Sequence, residues 1–174
     1  MMRLLQRLYQ SYAPLIAILI IGAYLRLYRI SEYLTFLGDE GRDVLIVKRM
    51  IVDGKWTLLG PTASVGGFYM GPAYYYFMAP FLWLFRLDPV GPAIMVALVG
   101  VLTIGLVYVL GCQIYNRYAG IVAASLYAVS PVIISYSRSS WNPNIVPFFA
   151  SLLILLSLRF ADNPKKIHAG IIGF

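Results

Sequence analysis

The chain alternates between long stretches without a single charge and short polar intervals. No charged residue occurs from Leu8 to Leu25, from Pro89 to Asn116, from Tyr118 to Ser137, or from Ser139 to Leu158. A helix rises about 1.5 Å per residue, so crossing a hydrocarbon core about 30 Å thick takes roughly 20 apolar residues. These runs predict an all-α integral membrane fold with four spans, over about 10–29, 90–111, 118–137 and 145–160. Pro164-Lys165-Lys166 closes the fourth, and an apolar stretch over 167–174 begins. Eight residues cannot cross a bilayer, so this stretch predicts the start of a fifth span. The whole of 1–174 then reads as a single membrane module at the front of a larger transmembrane domain. Arg3 and Arg7 precede the first run, but Gly22-Ala23-Tyr24-Leu25-Arg26 lacks a small-x-small cleavage pattern. A retained anchor fits better than a cleaved signal peptide.

Two intervals between the first and second runs break the pattern. From Glu32 to Gly67 the chain holds Glu32, Asp39, Glu40, Asp43 and Asp53, five of its seven acids. Gly38-Asp39-Glu40 reads as a helix start, with Asp39 as the cap and Glu40 and Asp43 near the positive end of the helix dipole. Lys48 and Arg49 lie toward the other end and Gly54 is a stop signal. A helix over about 40–53, lying at the membrane surface, is expected. From Phe68 to Phe85 the chain is uncharged yet interrupted by Pro72 and Pro80. It is either a kinked span or a second interfacial helix over about 71–86.

Composition sharpens this picture. Hydrophobic residues make up 60% of the chain and charged ones 12%, against about 45–50% and about 25% in soluble domains. The net charge of +7 suits lipid head groups or an anionic ligand. The basic residues are scattered around apolar segments, which excludes nucleic acid as a partner. Cys112 is the single cysteine and rules out an intrachain disulfide. Counting Lys and Arg does not fix the topology. With the N-terminus inside and 68–85 interfacial, six fall inside and eight outside, against the positive-inside rule.

Three polar strings carry candidate chemistry. Gly38-Asp39-Glu40-Gly41-Arg42-Asp43 sets acids beside a base. It can supply a general base for a hydroxyl, hold a divalent metal, or simply cap a helix with a local ion pair. Lys55-Trp56 and the run Pro72-Ala73-Tyr74-Tyr75-Tyr76 form an aromatic platform suited to sugar faces or isoprenoid tails, or an ordinary interfacial belt. Ser137-Arg138-Ser139-Ser140-Trp141-Asn142-Pro143-Asn144 interrupts two apolar runs. Its arginine can hold a phosphate or snorkel, and its amides can hold a sugar or form a turn.

The order of these strings resembles the N-terminal part of the GT-C membrane glycosyltransferases, in the branch of the protein O-mannosyltransferases and the lipid A aminoarabinose transferase. The residues that carry the resemblance are Asp39-Glu40, Gly54-Lys55-Trp56, Pro72-Ala73-Tyr74-Tyr75-Tyr76 and Arg138-Ser139-Ser140-Trp141-Asn142-Pro143. Gly71 stands where the aminoarabinose enzymes carry Lys, and Asn142 where they carry Asp. Both positions lie near the donor phosphate or metal in that branch, so the departures imply a different donor or loss of metal use, with a divalent metal still open as a cofactor.

The resemblance implies transfer of a sugar from a polyprenyl-phosphate donor to a hydroxyl of a protein, lipid or glycan at the exoplasmic face of the cell membrane. It implies Asp39 as general base with Glu40 as its orienting partner. Arg138 and Arg42 would meet the donor phosphate, and Lys55, Tyr74, Tyr75, Tyr76 and Asn142 would contact substrate or lipid. It also implies that 71–86 is interfacial rather than spanning. The competing expectation is a non-catalytic membrane subunit for transport or assembly of lipid-linked sugars.

Joint action requires the acidic and the Arg138 strings to face one side. Asp39→Cys and Asn142→Cys, each in a Cys112→Ser background, are expected to react with an impermeant maleimide on intact cells. Labelling at one position alone would rule out the interfacial arrangement.

Overall fold

Pairing between the helices of the polar interval organises the part of the chain that bears the candidate strings. The computed structural model describes residues 2–63 and 66–162, with side chains from Tyr12 to Ala161. The predicted start of a fifth span at 167–174, the closing Pro164-Lys165-Lys166, and the side chains of Arg3 and Arg7 lie outside the described residues.

In chain order the helices are α1 (Met2–Leu27), α2 (Ile30–Tyr33), α3 (Gly38–Val52), α4 (Ala73–Leu84), α5 (Val90–Ile114), α6 (Arg117–Val129), α7 (Pro131–Tyr136) and α8 (Val146–Asp162), the last preceded by a 3₁₀ turn, Asn142–Ile145. Among the described residues the β-structure is one isolated antiparallel bridge, Thr62 to Tyr69. Two helical stretches, Val90–Ile114 and Asn142–Ala161, are long and apolar enough to cross a bilayer.

The third expected span does not form one helix. Ser130 is extended, with φ −60° and ψ 118°, and separates α6 from α7. The cause is Pro131, whose ring disfavours helical backbone in the residue before it. The run therefore supplies a 13-residue and a 6-residue helix, each shorter than a straight crossing needs.

The chain forms two compact units. The first comprises, among the described residues, 2–25, 99–134 and 145–162. Its core sets Ile104, Ala124 and Ala128 against Ile18, Leu19, Tyr108 and Tyr127. Gly111 and Gly120 make this packing possible. A Cβ on Gly111 would lie 2.6 Å from the Gly120 Cα, and one on Gly120 would lie 2.6 Å from both the Cys112 Sγ and the Tyr108 carbonyl oxygen. Backbone thus meets backbone where the chain turns from α5 into α6.

The second unit comprises Arg26–Leu98 and Ser135–Asn144. Val47, Met50, Tyr75, Met78 and Leu82 are fully buried where α3 packs on α4. Asp43 meets Tyr75, and Ile51 shares a cavity with Ala79 and Trp83, so the two helices run in the same direction. The connecting segment must therefore return along their length. Part of it is a hairpin in which the Gly60 N–H donates to the Met70 carbonyl, the Met70 N–H to the Pro61 carbonyl, and Thr62 bridges Tyr69. Both helix ends match the sequence punctuation. Asp53 is the C-cap of α3, and Gly54 follows at φ 65°, the left-handed position that glycine adopts without a Cβ penalty.

The glycine contact yields a direct test. Gly120→Ala is expected to lower stability by about 1–3 kcal/mol, as overpacking of a tight contact does. Gly105→Ala, on α5 with open space around it, should be tolerated. Thermal unfolding of both variants in detergent or nanodiscs compares them, and equal effects would contradict the close approach.

Candidate active site

The N-terminus of α3 is closed by a single side-chain contact to the backbone. Leu37, extended at φ −96° and ψ 174°, is the N-cap. The Glu40 carboxylate reaches back to accept the Leu37 N–H at 2.8 Å. This corrects the expected cap: Asp39 sits inside the first turn, and Glu40 makes the backbone contact. Glu40 is buried, and its other oxygen accepts the Ser139 hydroxyl at 2.5 Å and the Ser140 hydroxyl at 3.4 Å. Both oxygens are thereby engaged. A carboxylate in such a place is tolerated because donors replace the lost water.

Asp39 points elsewhere. Its side chain is 49% exposed and accepts the Arg42 guanidinium at 3.0 Å. It lines a cavity of about 580 Å³ together with Thr35, Ser135, Tyr136, Ser139 and Trp141. Hydroxyls and two aromatic rings thus surround an accessible carboxylate, a composition suited to a polyhydroxylated ligand.

Arg42 lies between two acids. Its Nε donates to Asp43 Oδ1 at 2.9 Å, and one terminal nitrogen donates to Asp39 and, at 3.3 Å, to the Thr62 hydroxyl. Burial works against its charge, but Asp43 and Asp39 outweigh that and raise its pKa. Asp43 itself is completely buried. Its Oδ1 also accepts the Tyr75 hydroxyl at 3.1 Å, while Oδ2 is buried without a hydrogen-bond partner. Burial raises the Asp43 pKa, against the lowering effects of Arg42 and Tyr75.

The three tyrosines of α4 diverge, since successive helix positions are about 100° apart. Tyr74 donates to the Ser140 carbonyl, Tyr75 to Asp43, and Tyr76 to the Thr57 carbonyl at 3.0 Å. Tyr76 also stacks on Trp56, with ring centroids 5.7 Å apart. Burial, followed by the nearby acids, raises the pKa of Tyr74 and Tyr75, so both act as neutral donors.

The structure thus gathers Asp39, Glu40, Arg42, Tyr74 and Tyr75 around one cluster. It leaves others apart from it. Lys55 is exposed beyond the C-terminal end of α3, about 20 Å along the axis from Asp39. Tyr76 faces the second cavity, of about 470 Å³, with Trp56 and Trp83. Asn142 contacts the Met70 sulfur at 3.8 Å. The Arg138 guanidinium donates to the Tyr28 carbonyl at 3.3 Å and lies 4.8 Å from the centre of the Tyr33 ring.

Asp43, Ser139, Ser140 and Trp141 entered the sequence reading only as members of their strings, without a role of their own; the structure brings them to the candidate site. Asp43 was within reach of sequence reasoning, because Asp39 and Asp43 at i and i+4 share a helix face with Arg42 beside them. Among the described residues no group of three His, Cys, Asp or Glu side chains converges to hold a metal. The acid string directs its oxygens at a guanidinium, backbone and hydroxyls instead.

The raised pKa of Asp43 has a signed consequence for stability. Relative to an ordinary value of 3.8, the folded state takes up the proton at higher pH than the unfolded chain does. Folding is therefore penalised above the folded pKa, and the penalty is lifted as pH falls through it toward the unfolded value. Lowering the pH from 7 to 4 should stabilise the wild type relative to Asp43→Asn in thermal unfolding. Parallel pH profiles for the two proteins would contradict this.

A model of the dolichyl-phosphate-mannose-protein mannosyltransferase family matches residues 70–173. The match takes in α4 through α8 and the string around Arg138, while Asp39 and Glu40 precede it. Comparison with curated proteins and with solved structures gives no match. The matched segment is more than half of the chain and holds Tyr74, Tyr75, Ser139 and Ser140, the residues that receive the acidic helix. By that match the chain belongs to the dolichyl-phosphate-mannose-protein mannosyltransferase family, of GT-C type.

Proposed function

We propose that this chain forms part of the catalytic centre of a membrane glycosyltransferase that moves a sugar, mannose by family, from a polyprenyl-phosphate donor to a hydroxyl acceptor. The family description supports a lipid-linked donor and a protein acceptor. The active face in this reading is exoplasmic, at the cell membrane, with α3 and α4 lying along the interface.

The observation that carries the reading is the division of labour between adjacent acids. Glu40 has both oxygens committed to Leu37, Ser139 and Ser140, so it orients and does not react. Asp39 is half exposed at a polar and aromatic cavity and is held by one arginine. Asp39 accepts the proton of the acceptor hydroxyl as that oxygen bonds to the anomeric carbon of the sugar. The bond from that carbon to the phosphate oxygen breaks, and its electron pair leaves with the lipid phosphate. Charge develops on that phosphate in the transition state, where a cation is most effective. Arg138 and Arg42 are the candidates for that contact by the family resemblance; Arg42 sits in the cluster against Asp39, Asp43 and Thr62, and Arg138 rests against Tyr28 and Tyr33.

Asp39→Asn retains the acceptor for Arg42 and does not disturb the cap, which Glu40 supplies. Fold and membrane insertion should persist. Loss of general-base catalysis costs about 10²- to 10⁴-fold in rate. Transfer of labelled mannose from polyprenyl phosphate by the protein in membranes should fall by that factor. A near wild-type rate for Asp39→Asn would make the acid structural and favour a non-catalytic role.

A further inference from the structure

The Asp43 carboxylate has no part in the chemistry just described, yet it is fully buried and meets both Arg42 and Tyr75. We propose that Asp43 is a positioning residue, which, anchored by Tyr75, fixes the Arg42 guanidinium so that it holds Asp39 in its reactive orientation. The inference rests on the catalytic reading of Asp39.

Four observations support it. Asp43 is fully buried, whereas Arg42 is about one-third exposed and Asp39 about one-half exposed. The three side chains therefore form a bracket from the interior outward. Arg42 uses different nitrogens for the two acids, Nε for Asp43 and a terminal nitrogen for Asp39. A planar guanidinium gripped at Nε cannot swing its far end freely, so fixing one edge fixes the other. Tyr75, itself buried in the α3–α4 core, donates to the same Asp43 oxygen that Arg42 uses. That contact ties the bracket to the packed helix pair instead of to a loop. Finally, Asp43 Oδ2 is buried without a hydrogen-bond partner. Packing alone would place an apolar side chain at such a position, since an isolated buried polar atom is costly. The arrangement makes sense if the other oxygen has a task that only a carboxylate performs.

Positioning and simple structural support differ in their coupling to Arg42. If Asp43 acts through Arg42, removing its charge matters only while Arg42 is present. Asp43→Asn should lower kcat by about 10- to 100-fold, the scale on which small misplacements of a reacting group act, with little change in the KM for polyprenyl-phosphate mannose. In an Arg42→Gln background the same substitution should cause no further loss. Tyr75→Phe keeps the packed ring and removes the anchor. It should lower kcat about 3-fold, roughly the effect of losing one modest hydrogen bond, again only when Arg42 is present. If Asp43→Asn does not fold, Tyr75→Phe and its combination with Arg42→Gln decide the matter.

Losses that multiply in the double variants, or a wild-type kcat in Asp43→Asn, would overturn the proposal. These outcomes are separable from failure of the catalytic reading, which would appear as full activity in Asp39→Asn.

Discussion

The buried Glu40 carboxylate is the contact on which the geometry of the second unit depends. A charge removed from water must find donors, and Glu40 finds three: the Leu37 N–H, which starts α3, and the hydroxyls of Ser139 and Ser140. The first is local. The other two reach about a hundred residues along the chain and bring the turn after α7 onto the acidic helix. Because the helix dipole also favours negative charge in its first turn, the same residue satisfies the helix end and the tertiary contact. Asp39, one position earlier and so rotated by about 100°, is left facing the cavity that this contact encloses.

The aromatic string on α4 completes the frame. Tyr74 donates to the Ser140 carbonyl, so Ser140 is held by its hydroxyl to α3 and by its carbonyl to α4. Tyr75 reaches α3 at Asp43. With their ionisation suppressed by burial, both phenols serve as fixed donors. A run that in sequence looks like a ligand platform is thus divided. Two of its tyrosines brace the acidic helix, and Tyr76, stacked on Trp56, faces the second cavity.

What was legible in the sequence follows from the range of each interaction. Helices α3, α5 and α8 were readable because charge-free runs and the stop at Gly54 are local signals. The break at Ser130 was readable too, but hydropathy counts composition and passes over the backbone restriction that Pro131 imposes. At the site, the triplet of Asp39, Arg42 and Asp43 follows from helical spacing alone. The choice of cap did not, because Asp39 and Glu40 can both serve an N-terminus. The outcome turns on where Leu37 leaves the helix. Least legible were Ser139 and Ser140. A contact across about a hundred residues leaves no periodicity, and their polar character is equally at home in a turn between two apolar helices.

The local rules of folding also point to where stability has been given up. Val44, Val47 and Met50 show what the α3–α4 seam accepts: apolar side chains that bury without residual polar atoms. Asp43 lies in the same seam and violates that pattern, burying a carboxylate whose ionisation the burial disfavours. Arg42 beside it prefers the charged state. A pair with such opposed tendencies adds little to folding compared with two well-packed apolar residues. Its presence one turn from an exposed acid matches the expectation that departures from local consistency gather at functional sites. The buried end of the pair supplies rigidity and the exposed end supplies access. Only a side chain as long and planar as arginine can connect the two.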